Sequence, residues 1–513
     1  MHGNAWYFQA KHKNSLLVNA KINDLHLSEG SFILDMLEKE YRKTLTGDLR
    51  QDMTYLNQEL NVDTNFDVIC REISMGGKEA CMYLVDGFCK DELLQKILQF
   101  FMEITPDQLP EDMQGLSKQF TPYIEVDVED RTDTLIDSLL SGMFLLLVDG
   151  YEKALVIDSR TYPARGVEEP EKDKVLRGSK DGFVETIIFN TALIRRRIRS
   201  TALCMEMTNA GKSSKTDIVL CYMKGRVNEK FLAEIRRKIQ DIKVDALSMN
   251  QESLAECLYQ RKWFNPFPKF KYTERPDAAA AQVLEGNIVI LVDNSPSAMI
   301  MPTTIFEVME EADDYYFPPI TGTYLRVTRY LISLFTYLIT PTFLLLMNNP
   351  QWIPESFSFI LLKEDPNIPL IWQFLLLELA IDGLKLAAVN TPNMLSTPLS
   401  VLAALVLGEF SVNSGWFSSE VMLYMAFVAI ANYTQSNYEL GYALKFLRIL
   451  NLVFTQLFGL VGYIAAVVIA VLAVCCNRTV AHTSYIYPLI PFNWKDLKNR
   501  LIRRRLPGAL KKK

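Results

Sequence analysis

Histidine is scarce in this chain, and paired cysteine is missing. Only four histidines stand among 513 residues. His2, His12, His26 and His482 are too scattered for the clustered spacing of structural metal ligands. They also cannot be assembled with Ser, Cys or Asp into a nucleophilic arrangement, so neither a metal, a cofactor nor enzymatic chemistry is expected. Eight cysteines are present without a C-x-x-C pair. Cys70, Cys81, Cys89, Cys204, Cys221, Cys257, Cys475 and Cys476 therefore read as free thiols in a reducing compartment. Met1–Ala20 holds no continuous apolar core, so a cleavable leader is not expected and the soluble part should stay cytoplasmic. Asn209-Ala-Gly-Lys-Ser-Ser214 resembles a phosphate loop but carries Glu206 where the motif needs its first Gly, which argues against nucleotide binding.

Long apolar runs are absent up to Arg329 and frequent beyond it. Five segments can be drawn: Tyr330–Met347, Ile368–Val389, Leu395–Phe410, Val421–Ala431 and Leu452–Cys476. The first and last approach the ~20 residues that a helix needs to cross ~30 Å of hydrocarbon. Arg326 and Arg329 precede the first, and the basic tail Lys495–Arg505 with Lys511–Lys513 follows the last. Charge bias thus expects both termini on the cytoplasmic side and an even number of crossings, four complete and one of the middle segments partial. Glu378, Asp382 and Lys385, spaced i, i+4 and i+7, share one helical stripe. Ionisable groups at that depth usually face a water-filled cavity or a bundle interior. A ring of such stripes would line a cation-attracting pore, while a Lys385 pair within one subunit would simply neutralise the carboxylates. Val389, at the end of the same helix, is the candidate apolar constriction.

The soluble half reads as a duplication. Cys81-Met-Tyr-Leu-Val-Asp-Gly87 and Val219-Leu-Cys-Tyr-Met-Lys-Gly225 each lead from a buried strand through a Gly turn to an amphipathic helix. Gly142–Gly150 is echoed by Gly286–Asp293, and each is followed by a short apolar run in a hairpin pattern. The fold class is therefore α/β plus an α-helical membrane domain: two tandem similar α/β cytoplasmic subdomains, then a bundle of about four to five transmembrane helices. The expected divisions are an N-terminal helical, polar extension (1–60), a first subdomain (61–162), a charged linker (163–182), a second subdomain (183–320), the membrane domain (321–477) and a basic tail (478–513). Arg195, Arg196 and Arg197 cluster without interleaved aromatics, which favours subunit packing over nucleic acid. Trp263–Tyr272 alternates aromatics with cations; Pro266 and Pro268 exclude a helix, and an inter-subdomain seam is favoured over a place among lipid headgroups.

Several further stretches carry a resemblance. Arg177-Gly-Ser-Lys-Asp-Gly-Phe183, Asn190–Ile198, Thr273-Glu-Arg-Pro-Asp277, Val292-Asp-Asn-Ser-Pro296, Met301-Pro-Thr-Thr304, Tyr324-Leu-Arg326 and Glu378-Leu-Ala-Ile-Asp382 follow in order. Together they resemble the A-subunits of spore germinant receptors, the GerA family. Thr483–Phe492 with Lys495–Arg505 looks most like a sporulation-stage branch of that family. The resemblance implies a multi-pass protein of the bacterial spore inner membrane, with both termini facing the spore core. It implies homo-oligomeric rings, pentamers in the family's expected form, that release monovalent cations through the bilayer. That branch is expected to amplify the germination signal beside a small membrane partner. On this view Glu378, Asp382, Lys385 and Val389 line the pore, and Arg195, Arg196, Arg197, Asp293 and Pro296 serve packing. A non-conducting scaffold, or the A-subunit of a nutrient receptor working with other germinant receptor subunits, is the alternative.

Overall fold

The computed structural model describes residues 44–162, 177–260, 263–391, 397, 401, 403–435 and 437–503. The expected N-terminal extension up to 43, the linker over 163–176, much of the start of the Leu395–Phe410 segment and the tail from 504 lie outside the described residues. Contacts divide the chain into two units, Met1–Pro163 with Arg195–Met205, and Ala164–Ile194 with Glu206–Lys513.

In the first unit, helix α1 (Leu49–Leu60) starts where the Asp48 carboxylate accepts from Gln51 N, and stops at Asn61 in the left-handed region. Leu49, Asp52, Leu56 and Leu60 are its buried stripe. Strands β1 (Val68–Met75) and β2 (Lys78–Val85) form a hairpin, and β2 continues antiparallel onto β4 (Phe144–Val148). β4 then pairs with β5 (Ala154–Ile157), and β5 with β3 (Val126–Glu129), giving the order β1-β2-β4-β5-β3. Every residue of β4 and β5 is buried. Helices α2 (Asp91–Met102), α3 (Met113–Phe120) and α4 (Thr132–Leu140) supply Ile97, Phe101, Met113, Leu116, Leu135 and Leu139 to the buried interior. Each fully buried Leu or Phe contributes roughly 1.5–3 kcal/mol over exposure.

The second sheet repeats this order with new strands. It contains β6 (Leu203–Ala210), β7 (Thr216–Met223), β9 (Ile288–Val292), β10 (Ala298–Met301) and β8 (Lys271–Thr273), in the order β6-β7-β9-β10-β8. Its helices are α5 (Ile187–Arg197), α6 (Glu229–Gln240), α7 (Gln251–Leu258) and α8 (Pro276–Glu285). The C-cap of α8 is Gly286 at φ 98°, and a Cβ there would stand 2.7 Å from the Arg226 carbonyl, so no other residue fits. The likeness reaches individual hydrogen bonds. Asp149 N donates to Glu79 O at 2.9 Å and Asp293 N to Asp217 O at 3.0 Å; Gly150 N reaches Gly47 O and Asn294 N reaches Glu185 O, both at 2.8 Å. The repeat thus opens with α1 in one copy and α5 in the other.

The second repeat continues into a helical region. After short helices Ile305–Val308 and Asp313–Tyr316 come α9 (Pro319–Asn348), α10 (Leu370–Asn390), α11 (Ser419–Tyr433), α12 (Tyr438–Cys475) and α13 (Trp494–Leu501). α9 and α12 are long and apolar enough to cross a membrane, and α11 is a shorter apolar helix. The expectation that Leu452–Cys476 forms one straight crossing fails. Gly459 has φ 59° and ψ −135°, which no helix accommodates. Leu440 and Ala443 pack in one cluster with Ala473 and Val474, although a straight helix would hold residues 33 positions apart about 50 Å apart. A Cβ on Gly462 would stand 1.9 Å from the Phe454 carbonyl. α12 is therefore a helical hairpin with its tip at Gly459, its arms 438–458 and 460–475 returning to the same end.

Candidate functional site

α10 begins where Pro369 fixes the chain, and Gln373 secures the start. Its amide donates to Ile368 O and its Oε1 accepts from Ser418 N, both at 2.8 Å. This sets the starts of α10 and α11 side by side. One turn on, Phe374 and Leu377 pack against Phe343 and Leu344 of α9, with Val421 and Met425 of α11 and Leu452 of the hairpin. The apolar cluster holds the upper half of α10 in the bundle.

Below it lies a charged network. Glu378 is 4% exposed. The Arg448 guanidinium on the first hairpin arm approaches its Oε1 from Nε at 2.7 Å and from Nη2 at 2.6 Å. Arg448 Nη1 donates to Thr336 O of α9 at 2.9 Å, so one arginine joins three helices. Lys445 lies 3.7 Å from the other Glu378 oxygen and is ion-paired with Asp382. Two buried cations thus neutralise two carboxylates. Lys385, which spacing offered as their partner, instead stands over the rings of Tyr433 and Tyr442, 5.4 and 6.0 Å from the centroids. Of the expected pore stripe, Glu378 is enclosed, Asp382 and Lys385 are half-buried, and Val389 is exposed.

A second charged cluster sits where the α/β repeat joins α9. Arg326 reaches Glu310 at 3.0 Å and Asp314 at 3.2 Å, and Arg329 reaches Glu311 at 2.7 Å and Asp314 at 3.2 Å. The helix α13 closes it from the far end of the sequence: Arg500 pairs with Glu307 and, at 3.2 Å, with Glu310, while Arg326 donates to Arg500 O at 2.9 Å. Burial pushes the Glu310 carboxyl up, but Arg500, Arg326 and Lys271 outweigh it and hold the group below its ordinary range. Thr304 prepares the approach with a capping box to Glu307.

The expected packing residues separate. Arg195 is fully buried and grips Asp67 with two bonds, Nε to Oδ2 at 2.7 Å and Nη2 to Oδ1 at 2.8 Å. Arg196 stacks on Tyr162 at 4.2 Å, and Arg197 is half-buried. Asp293 caps α5 by accepting from Ile187 N at 3.3 Å, and Pro296 is exposed in the turn between β9 and β10. The loop resembling a phosphate site is the β6–β7 turn, with Lys212 N bonded to Val244 O and Ser213 N to Asp245 O. In the aromatic stretch Phe267 and Phe270 are buried, and Phe267 packs with Val308, Leu440, Ala443 and Tyr485. Sequence reasoning passed over Lys445 and Arg448; two basic residues inside an apolar run were the available signal.

The fold and this site define a class: a duplicated α/β region feeding an apolar bundle of membrane-length helices that buries paired charge. The family model described as Bacillus/Clostridium GerA spore germination protein matches residues 54–513. Stage V sporulation protein AF of Bacillus subtilis (strain 168) is 36% identical over 456 residues, spanning 89% of this chain and 92% of that protein. Spore germination protein KA of the same strain is 26% identical over 474 residues, 91% of this chain and 86% of the relative. Among solved structures, the N-terminal domain of the A subunit of the Bacillus megaterium spore germinant receptor GerK3 aligns at 28% identity with a TM-score of 0.40, covering 50% of this chain and 96% of that one. The chain belongs to the GerA family of spore germination proteins.

Proposed function

We propose that this protein resides in the spore inner membrane as a subunit of a homo-oligomeric ring, pentameric in form, that lets monovalent cations leave the spore core and amplifies the germination signal beside a small membrane partner. The observation that carries this reading is α10: its Glu378 side is closed by Arg448, whereas its second half, through Asp382 and Lys385 to Val389, is incompletely covered within one chain. Charge left open at membrane depth is costly, so neighbouring copies or a water path must complete its surroundings. In a ring, Asp382 and Lys385 line the watery wall, Val389 forms an apolar constriction that closes by dewetting, and Glu378 holds the hairpin arm in place. α9, α10, α11 and the two hairpin arms form the membrane part, with both termini facing the spore core.

Potassium efflux from vesicles containing the purified oligomer tests the reading. Val389→Ala should raise the leak and Val389→Phe should suppress it, with the assembly unchanged in size. Absence of efflux from the native protein and both variants, with rings intact, would reject conduction. A specific observation favours the second reading, a non-conducting scaffold or receptor A-subunit: Lys445 and Arg448 already neutralise both carboxylates. Lys385→Gln separates the two, because it alters flux only if that face meets permeating ions.

A further inference from the structure

The exposed tryptophans and tyrosines of the helical region include two groups, with exposed phenylalanines such as Phe335 and Phe427 on the helices between them. Beyond the ends of α9 and near the starts of α10 and α11 stand Trp352 and Trp416, with Phe359; at the open end of the hairpin stand Tyr433, Tyr438 and Tyr442. The arm 438–458 between these groups is about 31 Å long at 1.5 Å per residue, the thickness of a hydrocarbon core. Aromatic belts of this kind mark the two headgroup layers. The second group is continued by a part of the chain that belongs to the α/β repeat. Trp263 is 100% exposed and Phe264 75%. Their position is fixed on both sides of the hairpin opening. Asn265 Nδ2 donates to Asn477 Oδ1 at 3.0 Å, two residues past the last residue of α12, and Phe267 packs on Leu440 in its first turn. Lys269 is buried and donates to Arg478 O at 2.6 Å, and Arg478, next in sequence to Asn477, is exposed.

We propose that Trp263 and Phe264 are a membrane-surface anchor, inserted into the headgroup layer of an anionic bilayer, with Arg478 supplying the attraction for phosphate. The proposal rests on the reading of α12 as a membrane-inserted hairpin. It assigns the α/β region a lipid contact of its own, so that movement of the second repeat against the bundle would have to withdraw two aromatic rings from the interface. Indole suits that layer, because its body is apolar and its N–H remains solvated. One basic residue near an anionic surface contributes an attraction that salt screens.

The test uses the full chain in phosphatidylglycerol-containing vesicles, with Trp6, Trp352, Trp372, Trp416 and Trp494 replaced by Phe. Emission from Trp263 should be lost to a nitroxide carried on lipid headgroups, preserved against aqueous iodide, and blue-shifted relative to detergent-free buffer. If that variant does not fold, the same quenching is read as the difference between the native chain and Trp263→Ala. Resistance to carbonate extraction is measured in parallel. Quenching by iodide alone in a carbonate-resistant protein overturns the anchor and leaves the membrane reading standing. Protection from both quenchers also overturns it, since a second copy of the chain then covers the pair. Release by carbonate refutes the inserted hairpin, and the anchor with it.

Discussion

The two α/β repeats share a frame and differ in where they bury charge. In both, an aspartate just after the third strand, Asp149 or Asp293, accepts from the first amide of the repeat's opening helix at 3.3 Å. In both, the fourth residue of that helix ties down the preceding segment: Asp52 accepts from Thr46 N and Gly47 N, and Asn190 accepts from Val184 N. In the first unit, Asp67 ahead of β1 holds a buried bidentate ion pair with Arg195 from the end of α5. The second repeat ends instead in a cluster of Glu307, Glu310, Glu311 and Asp314 that receives Arg326, Arg329 and Arg500. A duplicated scaffold has thus kept its hydrogen-bond frame, and the copy that leads into α9 has gained the charged joint. Buried ion pairs add little net stability over apolar packing, but losing one partner is expensive, which makes such a joint specific in its geometry.

Removing one acid from each repeat sharpens the contrast most. Asp67→Ala leaves the buried Arg195 without a carboxylate and should lose about 3–5 kcal/mol, whereas Asp314→Ala leaves Arg326 with Glu310 and Arg329 with Glu311 and should lose less. Protease protection should fall locally, over the first unit for Asp67→Ala and over α9 and α13 for Asp314→Ala. Equal loss of protection across the whole chain in both variants would break the contrast.

The shared frame predicts equality where the charges differ. Asp149→Ala and Asp293→Ala each remove a cap from an opening helix, and each should cost ~1 kcal/mol. Denaturant unfolding of the two variants checks it. A difference above ~1 kcal/mol between them would show that the two caps are not equivalent.

Much of the frame was legible in the sequence. The apolar strands around Cys81 and Val219, and Phe144–Val148 with Ile288–Val292, repeat in kind and in order because both faces of each must be buried. A helical, polar stretch was expected before residue 61, but that its last helix opens the first repeat was not legible, since Leu-Arg-Gln-Asp-Met-Thr-Tyr-Leu is mostly polar and its cap, Asp149, arrives 100 residues later. The hairpin was hidden for the opposite reason. Residues around Gly459 are apolar on both sides, so a turn at the tip carries no polar signature. Likewise i+4 and i+7 spacing drew attention to Lys385, whereas the partners of Glu378 and Asp382 come from 63 to 70 positions away. Local periodicity fixes faces of elements, but pairing between helices needs their packing.

Acid should loosen the joint at the end of the second repeat. The Glu310 carboxyl is held below its ordinary range by Arg500, Arg326 and Lys271. A depressed folded-state value means that its stabilisation is complete above the unfolded value of ~4.3 and is lost as pH falls through the folded value. From neutrality down to the ordinary carboxylate range α13 should stay docked, and it should release only as pH falls below that range. Emission of Trp494 and proteolysis near Leu501 follow the release. Undocking already at pH 6, or persistence in Glu310→Gln with an unchanged acid profile, would place the sensitivity elsewhere.

The smallest expected effect distinguishes the repeats at one thiol. Cys70 on β1 and Cys81 on β2 bring their sulfurs to 3.0 Å. The Cys81 thiol hydrogen bond pulls Cys70 down to about 7 against its partial burial, while the same contact and burial push Cys81 up. At the matching place in the second repeat, the fourth residue of β7, stands Val219. Cys81→Val therefore makes the first repeat resemble the second and should return Cys70 toward ~8.5. Its thiolate fraction at pH 7 would fall roughly fifteenfold, but the more basic thiolate is the better nucleophile by roughly fivefold, so alkylation should slow by only about threefold. Timed iodoacetamide labelling at pH 7, read by mass spectrometry at Cys70, measures it. An unchanged rate in Cys81→Val would mean that the neighbouring thiol does not set the reactivity of Cys70, and that the two hairpins differ there in packing alone.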